Sequence, residues 1–352
     1  MAADAATTIA LDALGTDEGV APIIAGARSA AADGIRLRVF GPTAALSDLD
    51  GVENVELIEA PELITNDEDP LSAVRSRPEA SVVAAAADVA DGTSEALVSA
   101  GATGATMAAA TFGIRRMRGV HRPALAVQLP SPVRPDRPVL MLDVGASTEA
   151  RTQHLIHFAH LGSAFSSSVL GVARPRVALL SVGEESKKGT PTVVEANAAL
   201  AAGAAGGAEN AFYFTGNIEG RDLLSGDADV VVTDGFTGNV TLKTIEGTAK
   251  AVATAVGDAA RSNPISAVGG LMMRSALNGL RREMDPDSTG GAILLGLRRV
   301  CVVGHGSSGP EGIANAIRLA DRAVRERAIE RTGEQLIASG ATRGALRDTA
   351  ER

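Results

Sequence analysis

The chain has 352 residues, of which 45% are hydrophobic but only 2% aromatic, and it carries a formal net charge of −9. This length suits one large α/β domain or two smaller ones, and the acidic balance argues against nucleic-acid binding, which favours a basic face. The single cysteine, Cys301, excludes an internal disulfide and a cysteine-based zinc site.

Short apolar runs alternate with longer Ala-rich segments along the chain. The runs predict ten strands, namely Thr8–Leu11, Arg36–Phe40, Val55–Ile58, Ala96–Ser99, Ala124–Gln128, Val139–Asp143, Arg176–Leu180, Phe212–Thr215, Val230–Thr233 and Val300–Val303. Continuous apolar runs separated by helices indicate strands that are covered on both faces. We therefore predict a mostly parallel sheet with helices on both sides, in one domain spanning residues 8–334 that is followed by a C-terminal tail at 335–352.

Seven polar, glycine-bearing turns follow the predicted strands, at residues 12–19, 99–106, 143–148, 181–189, 215–222, 233–239 and 304–309. Ligands bind beyond the carboxyl ends of parallel strands, so we expect all seven turns at one edge of the sheet. Glycines let backbone N–H groups approach an anion, and a following helix adds its positive N-terminal end. The turns therefore predict a rim suited to phosphate oxygens or to an oxyanion.

The turns contain no complete nucleotide-binding fingerprint. GATGAT at 101–106 lacks the full G-x-G-x-x-G spacing, and no G-x-x-x-x-G-K-[ST] or G-x-S-x-G string occurs. Cys301 falls in an apolar strand, where a thiol is usually inert. A reaction without an enzyme nucleophile fits better, in which a bound anion attacks a positioned electrophile and the protein supplies orientation and oxyanion stabilisation.

Three histidines, His154, His157 and His160, recur at three-residue spacing on one predicted helix. That spacing can ligate a metal, but no H-E-x-x-H string or carboxylate pattern accompanies it. We therefore predict no metal site and expect a helix surface that faces solvent or a partner subunit.

His305 in GHGSSG is a candidate general acid/base or phosphate donor, and a bond to a backbone carbonyl is the alternative.

Charged residues in the turns are the candidates for binding an anion. Lys188 in GEESKKG and Arg221 in NIEGRD each fall in a strand-end loop. Lys243, on the helix after TDGFTGN, either turns towards an anion or lies on the surface, and we favour the surface or a salt bridge. Glu184 and Glu185 either accept protons, chelate magnesium or pair with Lys188.

Residues 248–284 differ from the rest of the chain and predict two helices joined at 262–264. The second helix places apolar residues beside arginines, namely Ile265, Val268, Leu271, Met272 and Leu280 with Arg274, Arg281 and Arg282. Such a stripe is typical of a core helix, a dimer contact or a membrane-surface helix, and the pattern alone favours core or dimer packing. No apolar stretch is long enough to span a bilayer, and we expect no secretory signal in the acidic N-terminal residues.

The turns resemble, in order and spacing, those of the bacterial phosphate acyltransferase family of phospholipid synthesis. The matching strings are VSAGATGATMAAATFGIRRMRGVHRPALA (98–126), LDVGA (142–146), GEESKKG (183–189), GNIEGRDLLSGDADVVVTDGFTGNVTLKTIEG (216–247), GGAILLG (290–296) and HGSS (305–308). The resemblance extends from about Thr8 to about Arg325, and strings of this length are specific to the family.

The resemblance implies a Rossmann-like three-layer sandwich of the isopropylmalate-dehydrogenase and phosphotransacetylase type, with a protruding helical hairpin at 248–284. It also implies a cytoplasmic homodimer that associates peripherally with the membrane through that hairpin. In the implied reaction, inorganic phosphate attacks the thioester of a fatty acyl–acyl carrier protein and yields acyl phosphate and free acyl carrier protein, the first step of phospholipid biosynthesis. A membrane glycerol-3-phosphate acyltransferase would then use the acyl phosphate, and the mechanism requires no metal or organic cofactor.

On this resemblance, the side chains expected to act on phosphate or on the leaving thiolate are His305, Lys188, Lys243 and Arg221. The substrate- and phosphate-binding residues expected in the turns are Asp12, Gly15, Asp17, Ser99, Gly101, Thr103, Gly104, Asp143, Gly145, Gly183, Glu184, Glu185, Asn217, Glu219, Asp234, Gly235, Phe236, Gly238, Asn239, Ser307 and Ser308. The chain departs from the family pattern in that Thr16 replaces a glycine, Ala102 an asparagine and Thr289 a tyrosine, and a lysine is missing around residues 77–81.

Two other functions stay open at this point. One is a short-chain phosphotransacylase acting on coenzyme A thioesters, and the other is a non-catalytic membrane-bound scaffold; a dehydrogenase is weaker, because the fingerprint is absent. An acidic carrier protein would dock on a local basic patch. The cluster Arg115, Arg116, Arg118 and Arg122 is one candidate, and a solvated basic face is the alternative.

Overall fold

The computed structural model describes residues 7–135, 137–203, 212–263, 266–269, 272–273 and 286–338. In these ranges one eleven-stranded sheet has the order β3-β2-β1-β4-β11-β10-β5-β6-β9-β7-β8. The strands are β1 (Thr8–Asp12), β2 (Arg36–Gly41), β3 (Val55–Glu59), β4 (Ala96–Ser99), β5 (Ala124–Leu129), β6 (Val139–Leu142), β7 (Arg176–Ser181), β8 (Tyr213–Glu219), β9 (Val230–Val232), β10 (Ala292–Leu295) and β11 (Val300–Val303).

The sheet consists of two parallel halves that run in opposite directions. Strands β1, β2, β3, β4 and β11 are parallel to one another, and so are β6, β7, β8 and β9. Strand β10 is antiparallel to both β11 and β5, and β5 is antiparallel to β6. The carboxyl ends of the first half form what we call the His305 edge, and those of the second half form the Asp143 edge on the opposite side of the sheet.

Helices cover both faces of the sheet. They are α1 (Ala21–Ala32), α2 (Pro70–Ser76), α3 (Ser81–Ala90), α4 (Thr103–Phe112), α5 (Thr152–Ser168), α6 (Pro191–Ala201), α7 (Gly235–Arg261), α8 (Pro286–Thr289), α9 (Pro310–Arg325) and α10 (Ala328–Ala338), with short 3-10 helices at Ser47–Leu49 and Gly220–Asp222. Alternate residues of β1 point to opposite faces, so Ile9 and Leu11 join the core under α1, α5, α6, α9 and α10, whereas Ala10 joins the core under α2, α3 and α4. This confirms the predicted mostly parallel sheet between two helical layers.

All ten predicted strands are present, but the sequence pattern misses β10. Its four residues, Ala292–Leu295, follow Gly290 and Gly291 and make a run too short to distinguish from a turn. The omission matters, because β10 and β5 together reverse the direction of the sheet. The prediction that all seven turns lie at one edge is therefore wrong. The turns at 12–19, 99–106 and 304–309 lie at the His305 edge, and those at 143–148, 181–189, 215–222 and 233–239 lie at the Asp143 edge.

Helix α7 runs from one edge of the sheet to the other and then beyond it. It begins at the Asp143 edge after β9, packs Leu242 and Ile245 against the sheet, and is largely exposed over residues 248–261. The first predicted helix of the 248–284 segment is thus the second half of α7. Residues 266–269 and 272–273 of the second helix are helical. No helix of the described ranges is long and apolar enough to cross a membrane.

The remaining residues singled out in that second helix lie outside the described residues. They are Ile265, Leu271 and Leu280 with Arg274, Arg281 and Arg282.

The three histidines of α5 belong largely to the core, which corrects the predicted exposed surface. His157 and His160 are buried, because α6 and α10 pack over a helix that the sheet already covers on its other side. Burial lowers the pKa of His160 to about 4, and its ring meets Phe212 edge-on at 5.1 Å. Both histidine rings therefore pack in the core, and burial favours the neutral form of His160.

We expect a Gly238→Ala substitution to lower the free energy of unfolding by about 3 kcal/mol or more. A methyl group there would overlap the main-chain oxygen of Asp143 and lie 2.9 Å from Thr233 Cγ2. Gly247→Ala, in the same helix with open space around it, is the matched control and should raise stability by about 0.5–1 kcal/mol. Urea unfolding of both variants measures the difference, and equal stabilities would contradict the proposed seating of α7.

Candidate active site

Three glycine-bearing turns interlock at the His305 edge, because β1, β4 and β11 are neighbours in the sheet. The Gly304 N–H donates to Ser99 O at 2.8 Å, and the Asp17 N–H donates to Gly306 O at 2.8 Å. Gly15, at φ +93°, lies so close to Gly101 that a methyl group would come within 2.7 Å of its Cα. The three turns therefore form one continuous surface.

Asp12 and Ser99 hold this surface from below. Ser99 Oγ donates to Asp12 Oδ2 at 2.7 Å, and the Leu14 N–H donates to Asp12 Oδ1 at 3.2 Å. Both side chains are buried, and this burial raises the pKa of Asp12 although its hydrogen bonds oppose the shift. Because both side chains form hydrogen bonds within these turns, we infer that they shape them.

The N-terminus of α4 opens onto the same surface. Ala102 is the N-cap residue and makes no side-chain capping bond, so the first N–H groups of the helix receive no acceptor from their N-cap side chain. Gly104 allows α2 to approach, since a methyl group there would lie 2.8 Å from Pro70 Cγ. The positive end of a ten-residue helix, lined by Gly101 and Thr103, is thus available to an anion.

A chain of four polar side chains lies at this edge. Lys243 Nζ is 2.8 Å from Glu246 Oε2 and 3.0 Å from His305 Nε2, and His305 Nδ1 is 2.7 Å from Ser307 Oγ. A lysine ammonium has only donors and faces Nε2, and the Ser307 N–H donates to Nδ1 at 3.2 Å, so a donor faces each ring nitrogen of His305. The surface and salt-bridge expectation for Lys243 is confirmed, and its second contact is His305.

Lys243 reaches the His305 edge although α7 begins at the opposite edge. It lies eight residues after Gly235, which corresponds to about 12 Å along the helix axis. The sequence analysis did not identify Glu246 as a partner of Lys243. The i,i+3 spacing of the two residues on one helix face is the pattern that would have predicted this pair. Ser308 is buried and its N–H bonds to His305 O, so it shapes the turn.

At the Asp143 edge, the acidic residues of the turns support backbone structure. Asp143 is buried, which raises its pKa, and its Oδ1 accepts N–H groups from Leu125, Gly145 and Ala146 at 2.8–3.1 Å. Asp234 caps α7 by accepting the Thr237 N–H at 2.8 Å. These carboxylates therefore hold the chain in place.

The first turn of α7 is seated against the Asp143 loop. Gly235 fits against Asp143 Oδ2 and Ser147 O, and Asn239 lies beside Gly145. Phe236 is exposed and points away from this contact. The glycines of TDGFTGN thus serve the close approach of two backbones.

The loop that carries Lys188 is organised by a buried asparagine. Asn217 Nδ2 lies 2.9 Å from Glu185 O and 3.3 Å from Gly183 O, and Asn197 donates to Asn217 Oδ1 at 2.9 Å. The side chains of Glu184, Glu185 and Lys188 are exposed around this core. Asn197 is a residue that the sequence analysis did not identify.

The guanidinium of Arg221 is exposed and lies between two carboxylates. Its Nε is 3.3 Å from both Glu219 Oε2 and Asp222 Oδ2, and its side chain is 71% exposed. Arg221 and Lys188 follow β8 and β7 at the Asp143 edge, whereas His305 lies at the opposite edge. The structure therefore brings Lys243 to His305 but does not bring Lys188 or Arg221 there.

Cys301 is fully buried in β11, and burial raises the pKa of its thiol to about 12. This burial agrees with the prediction of a small apolar core residue, because it disfavours the reactive thiolate near neutral pH.

Solved structures with a similar fold include two acyl-transferring enzymes. The EutD phosphotransacetylase from Staphylococcus aureus has a TM-score of 0.58 at 18% identity, covering 90% of this chain and 94% of that one. A branched-chain phosphotransacylase from Enterococcus faecalis has a TM-score of 0.56 at 16% identity, covering 90% and 99%. These likenesses confirm the predicted fold class.

Proteins found by sequence comparison are more similar to this chain than these solved structures are. The family model described as "Fatty acid synthesis protein" matches residues 7–331. A phosphate acyltransferase from Heliobacterium modesticaldum is 39% identical over 335 residues, which cover 93% of this chain and 97% of the relative. One from Elusimicrobium minutum is 43% identical over 326 residues, covering 90% and 92%. With such matches over almost its whole length, the chain belongs to the phosphate acyltransferase family and is an acyltransferase.

Proposed function

We propose that the chain transfers a fatty acyl group from the thioester of acyl carrier protein to inorganic phosphate, as the first step of phosphatidic acid biosynthesis. The observation that carries this proposal is the contact between Lys243 Nζ and His305 Nε2, 3.0 Å apart at the edge where α4 begins. A cation, an imidazole and the positive end of a helix at one surface suit phosphate and a developing oxyanion.

In the proposed reaction a phosphate oxygen attacks the thioester carbonyl carbon, and the carbon–sulfur bond breaks. Hydrogen phosphate loses its proton as the new carbon–oxygen bond forms, and the leaving thiolate gains one. His305, with Ser307 Oγ 2.7 Å from its Nδ1, carries the proton between them. Lys243 neutralises phosphate, and the amides around Gly101 bind the oxyanion.

We further propose that the acyl phosphate passes to a membrane glycerol-3-phosphate acyltransferase, and that the chain works as a cytoplasmic homodimer associated peripherally with the membrane. Exposed apolar side chains support this, namely Val252 and Val256 in the second half of α7 and Val268, Met272 and Met273 later in the chain. The short-chain phosphotransacylase is the second candidate, because a phosphotransacetylase and a branched-chain phosphotransacylase share the fold. Phosphate-dependent thiol release from acyl–acyl carrier protein and from acyl-coenzyme A separates the two.

We expect Lys243→Ala and His305→Ala each to lower phosphate-dependent acyl phosphate formation about 100-fold, because each removes a group that acts on phosphate or on the transferred proton. Lys250→Ala, two turns further along α7 and exposed, is the matched control and should keep full activity. Acyl phosphate trapped with hydroxylamine measures the rate, and thermal unfolding checks the fold. Full turnover in either variant removes that residue from the mechanism.

We expect Glu246→Gln to raise the KM for phosphate about fivefold while kcat changes less than about twofold. Its carboxylate holds the Lys243 ammonium, so its loss loosens the cation without removing it. Initial rates at varied phosphate concentration give both parameters. A fall in kcat alone would assign Glu246 a different role.

We expect Arg221→Ala to change kcat/KM less than about twofold, because two carboxylates already surround this exposed cation. The same assay used for Lys243→Ala measures it. A loss as large as that of Lys243→Ala would move the phosphate site to the Asp143 edge.

A further inference from the structure

An uncompensated basic surface lies at the Asp143 edge, built from three separate loops. We call it the arginine patch, and it consists of Arg115, Arg116, Arg118, Arg122, Arg151, Arg298 and Arg299, all of them exposed. Backbone hydrogen bonds join the loops, since the Met117 N–H donates to Gly296 O at 2.9 Å and the Arg298 N–H to Arg115 O at 3.0 Å. The chain therefore gathers these arginines by folding, because their positions span residues 115–299.

The arginines of the patch have no acidic partners in the part of the chain that the structure describes. None of the seven forms an ion pair there, whereas Arg38, Arg77 and Arg176 pair with carboxylates elsewhere. Arg122 Nη1 donates to the backbone oxygen of Glu149 at 3.4 Å, so this contact is not an ion pair with the carboxylate. In a chain of net charge −9, such a cluster of like charge repels itself and is relieved by an acidic partner.

The imidazole of His154 lies beside the patch, and the charges of two patch arginines act on it. The pKa of His154 is lowered to about 4, first by burial and then by the charges of Arg122, His121 and Arg151.

The patch surrounds an apolar centre. An open cavity of about 490 Å³ is lined by Phe112, Met117 and Val120, with Arg115 and Arg116 at its rim. Phe112 is 42% exposed. An apolar centre within a charged rim, with arginine and an aromatic ring, is the composition of a protein-binding surface.

The geometry points to acyl carrier protein as the occupant, and we propose that its acidic surface docks on the arginine patch. This proposal rests on the proposed function. Val252 and Val256, exposed in the second half of α7, lie beyond the His305 edge, so a membrane held by them would face away from the patch. A nucleic acid would need several exposed rings for stacking, and Phe112 alone accompanies the patch among the residues lining its cavity.

The distance from the patch to His305 sets a requirement on the partner. Helix α4 joins the two edges with ten residues, about 15 Å, and β11 leads from Arg299 to His305 over a similar length. A thioester held at the surface of a docked protein would not reach His305. A carrier that presents the acyl group on an extended arm would.

The test compares the triple variant Arg115→Glu, Arg118→Glu and Arg299→Glu with a control of equal charge change, Arg36→Glu, Arg322→Glu and Arg327→Glu. All six side chains are exposed, and the control positions lie outside the patch. Calorimetry measures the Kd of acyl carrier protein, and initial rates give KM and kcat. We expect the patch variant to weaken binding and raise the KM for the carrier about tenfold or more, with kcat within about twofold, and the control to match the native chain.

Added salt should weaken carrier binding to the native chain and to the control but have less effect on the patch variant. Unchanged carrier binding in the patch variant overturns the proposal, and so does an equal loss in the control. Loss of binding to anionic phosphatidylglycerol vesicles with carrier binding intact also overturns it, because the patch would then be a lipid surface.

The proposed function can fail separately. If the native chain binds the carrier through the patch but shows no phosphate-dependent turnover, the docking proposal is supported and the proposed reaction is contradicted. If the patch variant shows normal turnover, the docking proposal is contradicted and the proposed reaction is supported.

Discussion

The contact between Lys243 and His305 depends on a helix that is anchored at one edge of the sheet and long enough to arrive at the other. Strands β10 and β5 reverse the sheet, so the turns of its two halves open on opposite sides. The first turn of α7 is seated so tightly on the Asp143 loop that Gly235 and Gly238 have no room for a side chain. That seating sets the axial position of Lys243, and a small shift of the first turn would move its ammonium away from His305.

Positive charge is also divided between the two edges of the sheet. The chain is acidic overall, yet the cations of the candidate site and of the arginine patch lie at two places on opposite edges of the sheet. At the His305 edge a single ammonium is fixed by Glu246, which suits a small anion held at short range. At the Asp143 edge seven exposed guanidinium groups, without ion pairs among the residues that the structure describes, spread over three loops, which suits a large acidic surface met from a distance. An acidic remainder would repel such a partner from every other face.

Local patterns predicted the strands and the glycine turns well, because both follow from short-range rules: apolar runs mark buried strands, and glycines mark tight turns. They failed on the reversal of the sheet, since the four residues of β10 carry no mark of strand direction. They also misjudged α5, whose histidines look like a polar face but are covered by α6 and α10. The partners of Lys243 and Asn217 depend on contacts between distant segments, and spacing along the chain does not encode them, except for Glu246 one turn away.

The departures from the family pattern can be weighed by their places in the fold. Thr16 does not take the left-handed conformation, which in this turn falls to Gly15 and Gly19, so the lost glycine costs no strain there. Thr289 ends α8, and the left-handed backbone that follows is supplied by Gly290 and Gly291. Ala102 is different, because it is the N-cap of α4 at the candidate site. An asparagine in that position can accept a helix N–H with its own side chain, whereas alanine leaves those donors to the ligand. The replacement of asparagine by Ala102 thus leaves the first amides of α4 without a capping side chain at the candidate site.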